Sequence, residues 1–336
     1  MKIAVLGAGC VGVTTALELQ RELPQAQISL LAADFEGITS FVAAGIFRIG
    51  TSFAGPNETI TRQWIKDSYD YYEELSRSRD ASEIGVAAIS GYMFSNESPV
   101  VVMNDYMEKL VPIYRRATES ELQLTGNVWK YGSFVSTLVT QPDIYVPWAI
   151  SKLKANGAQI KRQKVNSFKE IAADYDAIVN CTGLGAKRLC SDRAMVPIKG
   201  QVIKVRAPWL KTFFYGELNT YVVPGVNGLV TLGGQREFDC SDLSICPYQS
   251  AAIKDRCDRL VPGLSKAVQV SEKAGLRPHR ETGVRVEAER FSDGPGSSTL
   301  IVHNYGHGGY GICTAPGTSK YAVTKLKELH SSTAKL

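Results

Sequence analysis

The sequence lacks the features of membrane-spanning, metal-binding and disulfide-stabilised proteins. No apolar run approaches the ~20 residues that a membrane-spanning helix needs. The seven cysteines include no Cys-x-x-Cys pair and the four histidines are scattered, so the sequence predicts neither a disulfide framework nor a metal site. A net charge of +5 spread over 336 residues does not favour nucleic acid as a partner. These absences indicate a globular protein with reduced thiols in an intracellular compartment.

The first dozen residues carry the motif around which the chain is organised. An apolar run at 3–6 predicts a buried parallel strand, and helical spacing from 11 to 23 predicts a helix. Gly7, Gly9 and Gly12 lie at the junction. In such a turn the first glycine permits the tight bend, the second lets the backbone approach a pyrophosphate, and the third lets the helix pack on the strand.

An acidic residue completes this motif. The second apolar run, at 28–31, ends near Asp34, about 20 residues beyond the glycines, where an acid can accept hydrogen bonds from ribose hydroxyls. The N-terminal segment therefore predicts an adenine dinucleotide site. The motif by itself leaves FAD and NAD(P) open.

The rest of the chain mixes helical and strand-like patterns, which predicts an α/β fold. Helical spacing recurs at 59–75, 144–155, 247–265 and 318–330. Strand-like runs occur at 86–90, 92–94, 100–103, 159–165, 177–180, 197–205, 221–224, 229–234 and 300–303. We predict a Rossmann-like cofactor domain and an interleaved β-rich (α+β) substrate-binding domain. The first comprises 1–50, 144–195 and 275–330, the second comprises 51–143 and 196–274, and a flexible tail follows at 331–336.

A series of short motifs is spread along the chain from residue 2 to about residue 326. They are Gly7-Ala-Gly-Cys-Val-Gly12, Val42-Ala-Ala-Gly45, Val179-Asn-Cys-Thr-Gly183, Gly200-Gln-Val, Ala207-Pro-Trp209, Thr231-Leu-Gly-Gly234, Gly275-Leu-Arg-Pro278 and His303-Asn-Tyr-Gly-His-Gly-Gly-Tyr-Gly311. Taken together and in this order, they resemble the motifs of the FAD-dependent D-amino acid oxidases, and of the D-aspartate oxidases in particular.

This resemblance implies a cofactor and a reaction. The cofactor would be FAD, held noncovalently, and a D-amino acid would be oxidised to an imino acid that water converts to the oxo acid and ammonia. Oxygen would take the electrons and become hydrogen peroxide. Transfer of the Cα hydride to the flavin needs positioning more than an acid or base. His307 is accordingly predicted to be a structural loop residue.

Three residues match the family positions that hold the common part of an amino acid. Arg277 matches an arginine that pairs with the substrate α-carboxylate in bidentate fashion. Tyr221 matches a tyrosine whose hydroxyl holds the same carboxylate, and Gly309 matches a glycine whose carbonyl accepts from the amine.

Three other positions bear on the substrate side chain. Arg236 matches an arginine of the D-aspartate oxidases, where neutral-substrate members have an apolar residue, so the resemblance implies D-Asp and D-Glu as substrates. Arg48 stands where other members have glutamine or a hydrophobic residue, and we predict that it adds a substrate contact. Tyr215 stands where mammalian-type D-aspartate oxidases have a further arginine, which is a departure from the acidic-substrate pattern.

The resemblance also implies a set of FAD-binding residues. The glycine motif would meet the pyrophosphate, Asp34 the ribose, Thr39 and Ser40 the phosphate oxygens, and Val165 the adenine. The complete predicted set is Gly7, Ala8, Gly9, Cys10, Val11, Gly12, Asp34, Phe35, Thr39, Ser40, Ala44, Gly45, Ile46, Val165, Gly183, Arg285, Gly308, Gly311, Ile312 and Cys313.

Four alternative functions remain open at this level. The chain could oxidise neutral D-amino acids, or glycine, sarcosine and other secondary amines. It could instead be a catalytically inactive FAD-binding partner protein. The N-terminal motif taken alone also fits an NAD-dependent dehydrogenase.

The last three residues, Ala334-Lys335-Leu336, resemble the tripeptide Ser-Lys-Leu that directs proteins to peroxisomes. We expect a peroxisomal import receptor to be a partner and the peroxisome matrix to be the location, with the cytoplasm as the alternative. A peroxide-producing reaction is consistent with that location.

Overall fold

The computed structural model describes residues 1–50, 53–126, 128–292, 294 and 298–333. The tripeptide at 334–336 lies outside the described residues, so peroxisomal import stays a prediction. The helices are α1 (Cys10–Glu22), α2 (Glu58–Ser76), α3 (Ala81–Ile84), α4 (Asp105–Glu108), α5 (Pro142–Ala155), α6 (Ala186–Leu189), α7 (Pro247–Leu260) and α8 (Gly311–Thr333). None of the helices in the described part of the chain combines the length and apolar character required to span a bilayer.

The strands form two sheets. They are β1 (Lys2–Leu6), β2 (Gln27–Ala32), β3 (Val86–Ser95), β4 (Ile113–Arg116), β5 (Tyr131–Thr140), β6 (Gln159–Arg162), β7 (Ala177–Asn180), β8 (Met195–Arg206), β9 (Thr212–Tyr215), β10 (Tyr221–Pro224), β11 (Leu229–Gly233), β12 (Glu237–Phe238), β13 (Val268–Arg280), β14 (Arg285–Phe291) and β15 (Thr299–Tyr305).

The first sheet has the order β14-β15-β7-β1-β2-β6 and is parallel except for β14. The predicted N-terminal strand is confirmed as β1, whose residues 3–6 are fully buried between β2 and β7. Strand order reverses on either side of β1, and such a switch point opens a crevice at the carboxyl ends of the strands. This topology confirms the predicted α/β fold and places the glycine motif at the crevice.

The second sheet is mostly antiparallel. Its main path is β12-β8-β11-β10-β9-β3-β5-β4, and β13 pairs with β8. That pairing continues to the end of β13, so Arg280 lies opposite Met195. Residues 275–280, which we assigned to the cofactor domain, therefore belong to the second sheet by hydrogen bonding. The remaining domain boundaries stay a prediction.

The structure differs from the strand predictions in two places. The runs at 86–90 and 92–94 form one strand, β3, and Gly91 allows the backbone of Phe213 in β9 to approach closely. The run at 100–103 is not a strand. Residues Pro99–Val102 form a 3-10 turn, because Pro99 has no N–H for a sheet and the Ser98 hydroxyl accepts from the N–H of Val100 at 3.2 Å.

The last helix begins seven residues earlier than the sequence pattern predicted, at Gly311 rather than residue 318. Pro316 lies inside it and has no N–H for the carbonyl of Ile312, which would normally be its partner. The hydroxyl of Tyr72 donates to that carbonyl at 2.7 Å and replaces the missing bond. Tertiary contact with α2 therefore stabilises a helical turn that local pattern does not predict.

Candidate active site

One large cavity of about 990 Å³ is lined by residues of both sheets and of their connecting segments. At one end it is lined by residues that follow β1, β2 and β7, including Gly7, Asp34 and Gly183. At the other end it is lined by side chains of the second sheet, including Tyr221 and Arg277. The two ends are called here the dinucleotide end and the substrate end.

The N-terminus of α1 opens on the dinucleotide end. Gly7, Ala8, Gly9, Cys10 and Val11 line the cavity. The first N–H groups of a helix have no intrahelical partner and carry a partial positive charge, which favours an anion such as a pyrophosphate. The N-cap residue Gly9 has no side chain to cap this helix.

Gly12 does not line the cavity but sets the position of this helix. A Cβ on Gly12 would lie 1.8 Å from the carbonyl oxygen of Gly7. Gly7 itself has φ +104°, and a Cβ there would meet the Cys181 carbonyl oxygen at 2.5 Å. Both glycines are therefore required for strand, turn and helix to pack as closely as they do.

Asp34 is held in the ionised state at the edge of the cavity. The backbone N–H groups of Glu36 and Gly37 donate to its carboxylate at 2.9 Å each and hold its pKa below the ordinary value. A carboxylate at this position can accept hydrogen bonds from ribose hydroxyls. Phe35, the next residue, does not line the cavity, and the guanidinium of Arg162 lies over its ring.

The two hydroxyl groups predicted at the phosphates have different partners. The Ser40 oxygen accepts from the Cys10 N–H at 3.0 Å, so its own proton is available to a phosphate oxygen. The Thr39 hydroxyl donates to the Leu276 carbonyl at 3.1 Å, so that proton is not available. Both residues line the cavity.

The middle of the cavity is walled by small residues and by the start of α8. Ala44, Gly45 and Ile46 line it, and the missing Cβ of Gly45 allows contact with the Thr140 carbonyl oxygen. The other predicted cofactor residues that line the cavity are Val165, Gly183, Gly308, Gly311, Ile312 and Cys313. Because α8 begins at Gly311, a second helix N-terminus faces the cavity.

Arg285 is one of three predicted cofactor residues, with Gly12 and Phe35, that do not line the cavity. It is not in the cavity lining, and its guanidinium donates to Glu287 and to the Tyr305 hydroxyl. Side chains alternate between the two faces of a strand, so Arg285 and Glu287 lie on the same face of β14. Whether it contacts the cofactor stays a prediction.

These residues fit a flavin adenine dinucleotide. The cavity offers two helix N-termini, an ionised acid and glycine backbones that leave room for a long ligand. Asn304 also lines the cavity, and its buried side-chain oxygen has no hydrogen-bond partner among the described residues. A buried acceptor without a partner costs about 1–3 kcal/mol, so a donor from a bound ligand would stabilise it.

Arg277 dominates the substrate end. It lies on β13, and its Nη1 donates to the carbonyl oxygens of Lys199 at 3.2 Å and of Gln235 at 3.1 Å. Gly200 on the paired strand leaves space for it, since a Cβ there would lie 2.4 Å from both terminal nitrogens. Burial lowers the pKa of Arg277. Neither Lys199 nor Gly200 was predicted from sequence to support this side chain.

Two tyrosines lie beside Arg277. The rings of Tyr215 and Tyr221 are 5.5 Å apart, and the Tyr221 hydroxyl is next to the Arg277 guanidinium. Burial raises the pKa of both tyrosines, so each keeps its proton and can donate. A carboxylate at this point would accept from Arg277 and Tyr221 together.

The remaining predicted substrate residues also reach this end. Arg48, Arg236 and Gly309 all line the cavity. Arg236 is exposed, whereas the Arg48 guanidinium is half-buried over the Tyr215 ring at 4.6 Å. Within the described ranges, none of the salt bridges involves Arg48, Arg236 or Arg277. The structure therefore brings together all five predicted substrate residues around unpaired positive charge.

His307 is confirmed as a buried loop residue. Its Nε2 lies 3.0 Å from the Thr318 hydroxyl oxygen. Burial lowers its pKa to about 3, which keeps the imidazole neutral at physiological pH.

Comparison with known proteins identifies the family of this chain. The family model described as FAD dependent oxidoreductase matches residues 2–324. The chain belongs to the FAD-dependent oxidoreductase family. Its cofactor is therefore FAD, which removes the NAD-dependent alternative.

Similar proteins within this family cover the chain almost completely. Human D-aspartate oxidase is 33% identical over 97% of this chain and 95% of its own length. D-aspartate oxidase 1 of Caenorhabditis elegans is 31% identical over 98% of both chains. The solved structure of glycine oxidase from Geobacillus kaustophilus has the same fold, with a TM-score of 0.76, 19% identity, and coverage of 97% of this chain and 94% of its own.

Proposed function

We propose that this protein oxidises acidic D-amino acids, D-Asp and D-Glu, to the 2-oxo acid and ammonia, with oxygen reduced to hydrogen peroxide. The observation that carries the proposal is the group of three arginines at the substrate end, none of which pairs with a carboxylate among the described residues. A dicarboxylate substrate supplies the two anionic groups that such a site lacks. Relatives named D-aspartate oxidase support the same substrate class.

Arg277 and Tyr221 are assigned to the α-carboxylate. The guanidinium is anchored by two backbone carbonyls, so its direction is set before substrate binds. Preorganised donors bind without the entropy cost of ordering flexible side chains. The Gly309 backbone lies beside Arg277, since a Cβ on Gly309 would be only 3.4 Å from Cδ of Arg277. The amine can then be held by the Gly309 carbonyl.

The residues act by positioning rather than by acid–base chemistry. FAD, when bound, supplies the hydride acceptor. His307 is neutral and bonded to Thr318, and no other histidine lines the cavity in the described part of the chain. The protein's contribution is to hold Cα in one orientation and to admit the amine in its neutral form.

Arg236 is assigned to the distal carboxylate. It lines the cavity and has no carboxylate partner among the described residues. An exposed guanidinium binds an anion less strongly than a buried one, because water competes for it. We therefore expect Arg236 to improve recognition of acidic substrates without being the main determinant.

The experiment is peroxide release by the purified, FAD-saturated protein with D-Asp, D-Glu, D-Ala and L-Asp, in wild type and in Arg236→Ala. We expect D-Asp and D-Glu to be oxidised, L-Asp not to be, and the variant to keep a weaker preference for the acidic substrates. Arg259→Ala is the matched control, because Arg259 is an exposed arginine on α7 paired with Asp255 outside the cavity.

Preference of the wild type for D-Ala would instead assign the protein to neutral D-amino acids. Bound flavin that no D-amino acid reduces under anaerobic conditions would indicate an inactive FAD-binding protein.

A further inference from the structure

We propose that Arg48 is the main recognition group for the distal carboxylate of the substrate, with the Tyr215 ring as its support. This inference rests on the proposed function and names the residue that selects its substrate class. It concerns a side chain from the segment after Gly45, which is far in sequence from the other substrate residues.

The backbone around Arg48 is fixed. Its neighbours Phe47 and Ile49 are buried in the core. The Phe47 N–H donates to the Leu138 carbonyl at 2.8 Å, and the Phe47 carbonyl accepts from the Thr137 hydroxyl at 2.8 Å. Arg48 therefore extends from a rigid segment, which limits the entropy cost of ordering it around a ligand.

The guanidinium of Arg48 is poorly satisfied by the protein. Its Nε donates to the Met93 sulfur at 3.1 Å, and its plane lies over Tyr215. A thioether sulfur is a weak acceptor, and the other four N–H donors of the guanidinium have no hydrogen-bond partner among the described residues. A half-buried guanidinium whose N–H donors lack partners is stabilised by an anion that accepts two parallel hydrogen bonds.

The position of Arg48 matches a dicarboxylate. Arg48 stacks on Tyr215, Tyr215 packs against Tyr221, and the Tyr221 hydroxyl is next to Arg277. Two arginines thus lie at opposite ends of a row of two aromatic rings. A ligand with its α-carboxylate at Arg277 has its side chain directed along the row, and a second carboxylate on that side chain meets Arg48.

The alternative role for Arg48 is packing alone. Arg48 also borders a small pocket of about 20 Å³ that Met93, Tyr114 and Phe213 help to line. A packing role predicts that replacing Arg48 affects all substrates alike. A recognition role predicts that only ligands with a distal charge are affected.

The experiment compares ligands that carry a distal carboxylate with ligands that lack it. KM and kcat are measured with D-Asp and with D-Asn on the FAD-saturated protein, and Kd is measured by calorimetry with D-malate and with D-lactate. In Arg48→Gln we expect KM for D-Asp and Kd for D-malate to rise roughly 30-fold or more, the lower range for truncating one partner of a desolvated charge pair. The values for D-Asn and D-lactate are expected to stay close to wild type, and Arg48→Lys to be intermediate because lysine lacks the bidentate fork.

A second variant tests the location of the charge. Arg48→Gln combined with Tyr215→Arg returns a guanidinium to the same end of the cavity from the neighbouring strand, and we expect it to restore much of the D-Asp affinity. Arg62→Gln is the matched control, because Arg62 stacks over Tyr106 at 4.5 Å and does not line the cavity.

The outcomes separate this inference from the proposed function. Equal losses with D-Asp and D-Asn in Arg48→Gln, or no loss with either, would overturn the role of Arg48 while the acidic-substrate function stands. A wild-type protein that does not prefer D-Asp to D-Asn would overturn the proposed function and this inference together. If Arg48→Gln does not fold, Arg48→Lys decides by the same ratio of D-Asp to D-Asn.

Discussion

The two ends of the cavity bind their ligands by different means. At the dinucleotide end, the wall includes glycine backbone, the N-terminus of α1 and the acidic side chain of Asp34. At the substrate end, the wall includes the side chains of Tyr215, Tyr221 and Arg277 on strands of the second sheet, and those of Arg48 and Arg236 in the connecting segments. From this difference we expect the cofactor to be recognised mainly by main-chain geometry, and substrate choice to be carried by side chains.

The strongest test of this comparison is Arg277→Leu. We expect kcat/KM for D-Asp to fall roughly 100- to 5,000-fold, a loss of about 3–5 kcal/mol in transition-state stabilisation, because the substrate carboxylate would be left without its anchored partner. The flavin content is expected to stay near wild type, since the dinucleotide end is unchanged. Steady-state kinetics and the flavin-to-protein absorbance ratio measure the two quantities. Loss of flavin in this variant would show that the two ends are not independent.

Gly12→Ala tests the opposite end. A Cβ 1.8 Å from the Gly7 carbonyl oxygen forces α1 away from β1, and we expect a loss of about 1–3 kcal/mol in the free energy of unfolding together with weaker FAD binding. Denaturant titration of the apoprotein measures the first effect. Gly9→Ala is the matched control, because its Cβ would meet only the Ser40 oxygen at 3.4 Å.

That control has its own expected result. Gly9→Ala should leave the apoprotein as stable as wild type but weaken FAD binding, because the added methyl group takes space at the helix N-terminus. Equal stability losses in the two variants would contradict the distinction between Gly12 as a packing residue and Gly9 as a ligand-approach residue.

Gly200→Ala sharpens the comparison with a glycine from the substrate end. Its Cβ would meet the terminal nitrogens of Arg277 at 2.4 Å, and a flexible guanidinium moves more easily than backbone. We therefore expect folding and FAD content to be retained and kcat/KM for D-Asp to fall roughly 10- to 100-fold, as for a misplaced binding group. Unchanged kinetics would show that Arg277 has a second productive position.

The smallest expected effect is a pH dependence from His307. Its pKa in the folded protein is about 3 instead of 6.5, because burial disfavours the charged form. The unfolded chain binds the proton first, so this residue destabilises the fold as pH falls below 6.5. The expected loss between pH 7.5 and 5.5 is about 1.4 kcal/mol in the free energy of unfolding. His307→Gln should remove this slope in denaturant titrations, and a slope that persists would assign it to other groups.

Local sequence was sufficient for the features that depend on backbone geometry. The strand β1, the turn at Gly7 and the helix α1 follow from an apolar run, glycine spacing and helical periodicity, and the structure confirms them. The acid at Asp34 is also predicted by spacing. These features lie within 34 residues, so their pattern can be recognised in the local sequence, although β1 also pairs with β7.

Other features could not be predicted from local pattern. The first turns of α8 depend on Tyr72 replacing the hydrogen bond that Pro316 cannot make. Gly91 reads as a break in a strand but serves a close approach by β9. Thr39 has a suitable hydroxyl, yet its proton is donated to Leu276.

The sequence by itself determined the α/β class, the dinucleotide motif and the identity of the candidate substrate residues. Only the tertiary structure decided that Arg48, Tyr215, Tyr221 and Arg277 form one row, that Gly200 makes room for Arg277, and that Arg285 is directed elsewhere. The physical reason is separation along the chain. Hydrogen-bonded turns and helices involve near neighbours, whereas the charge and burial of a side chain depend on strands that come together only when both sheets have formed.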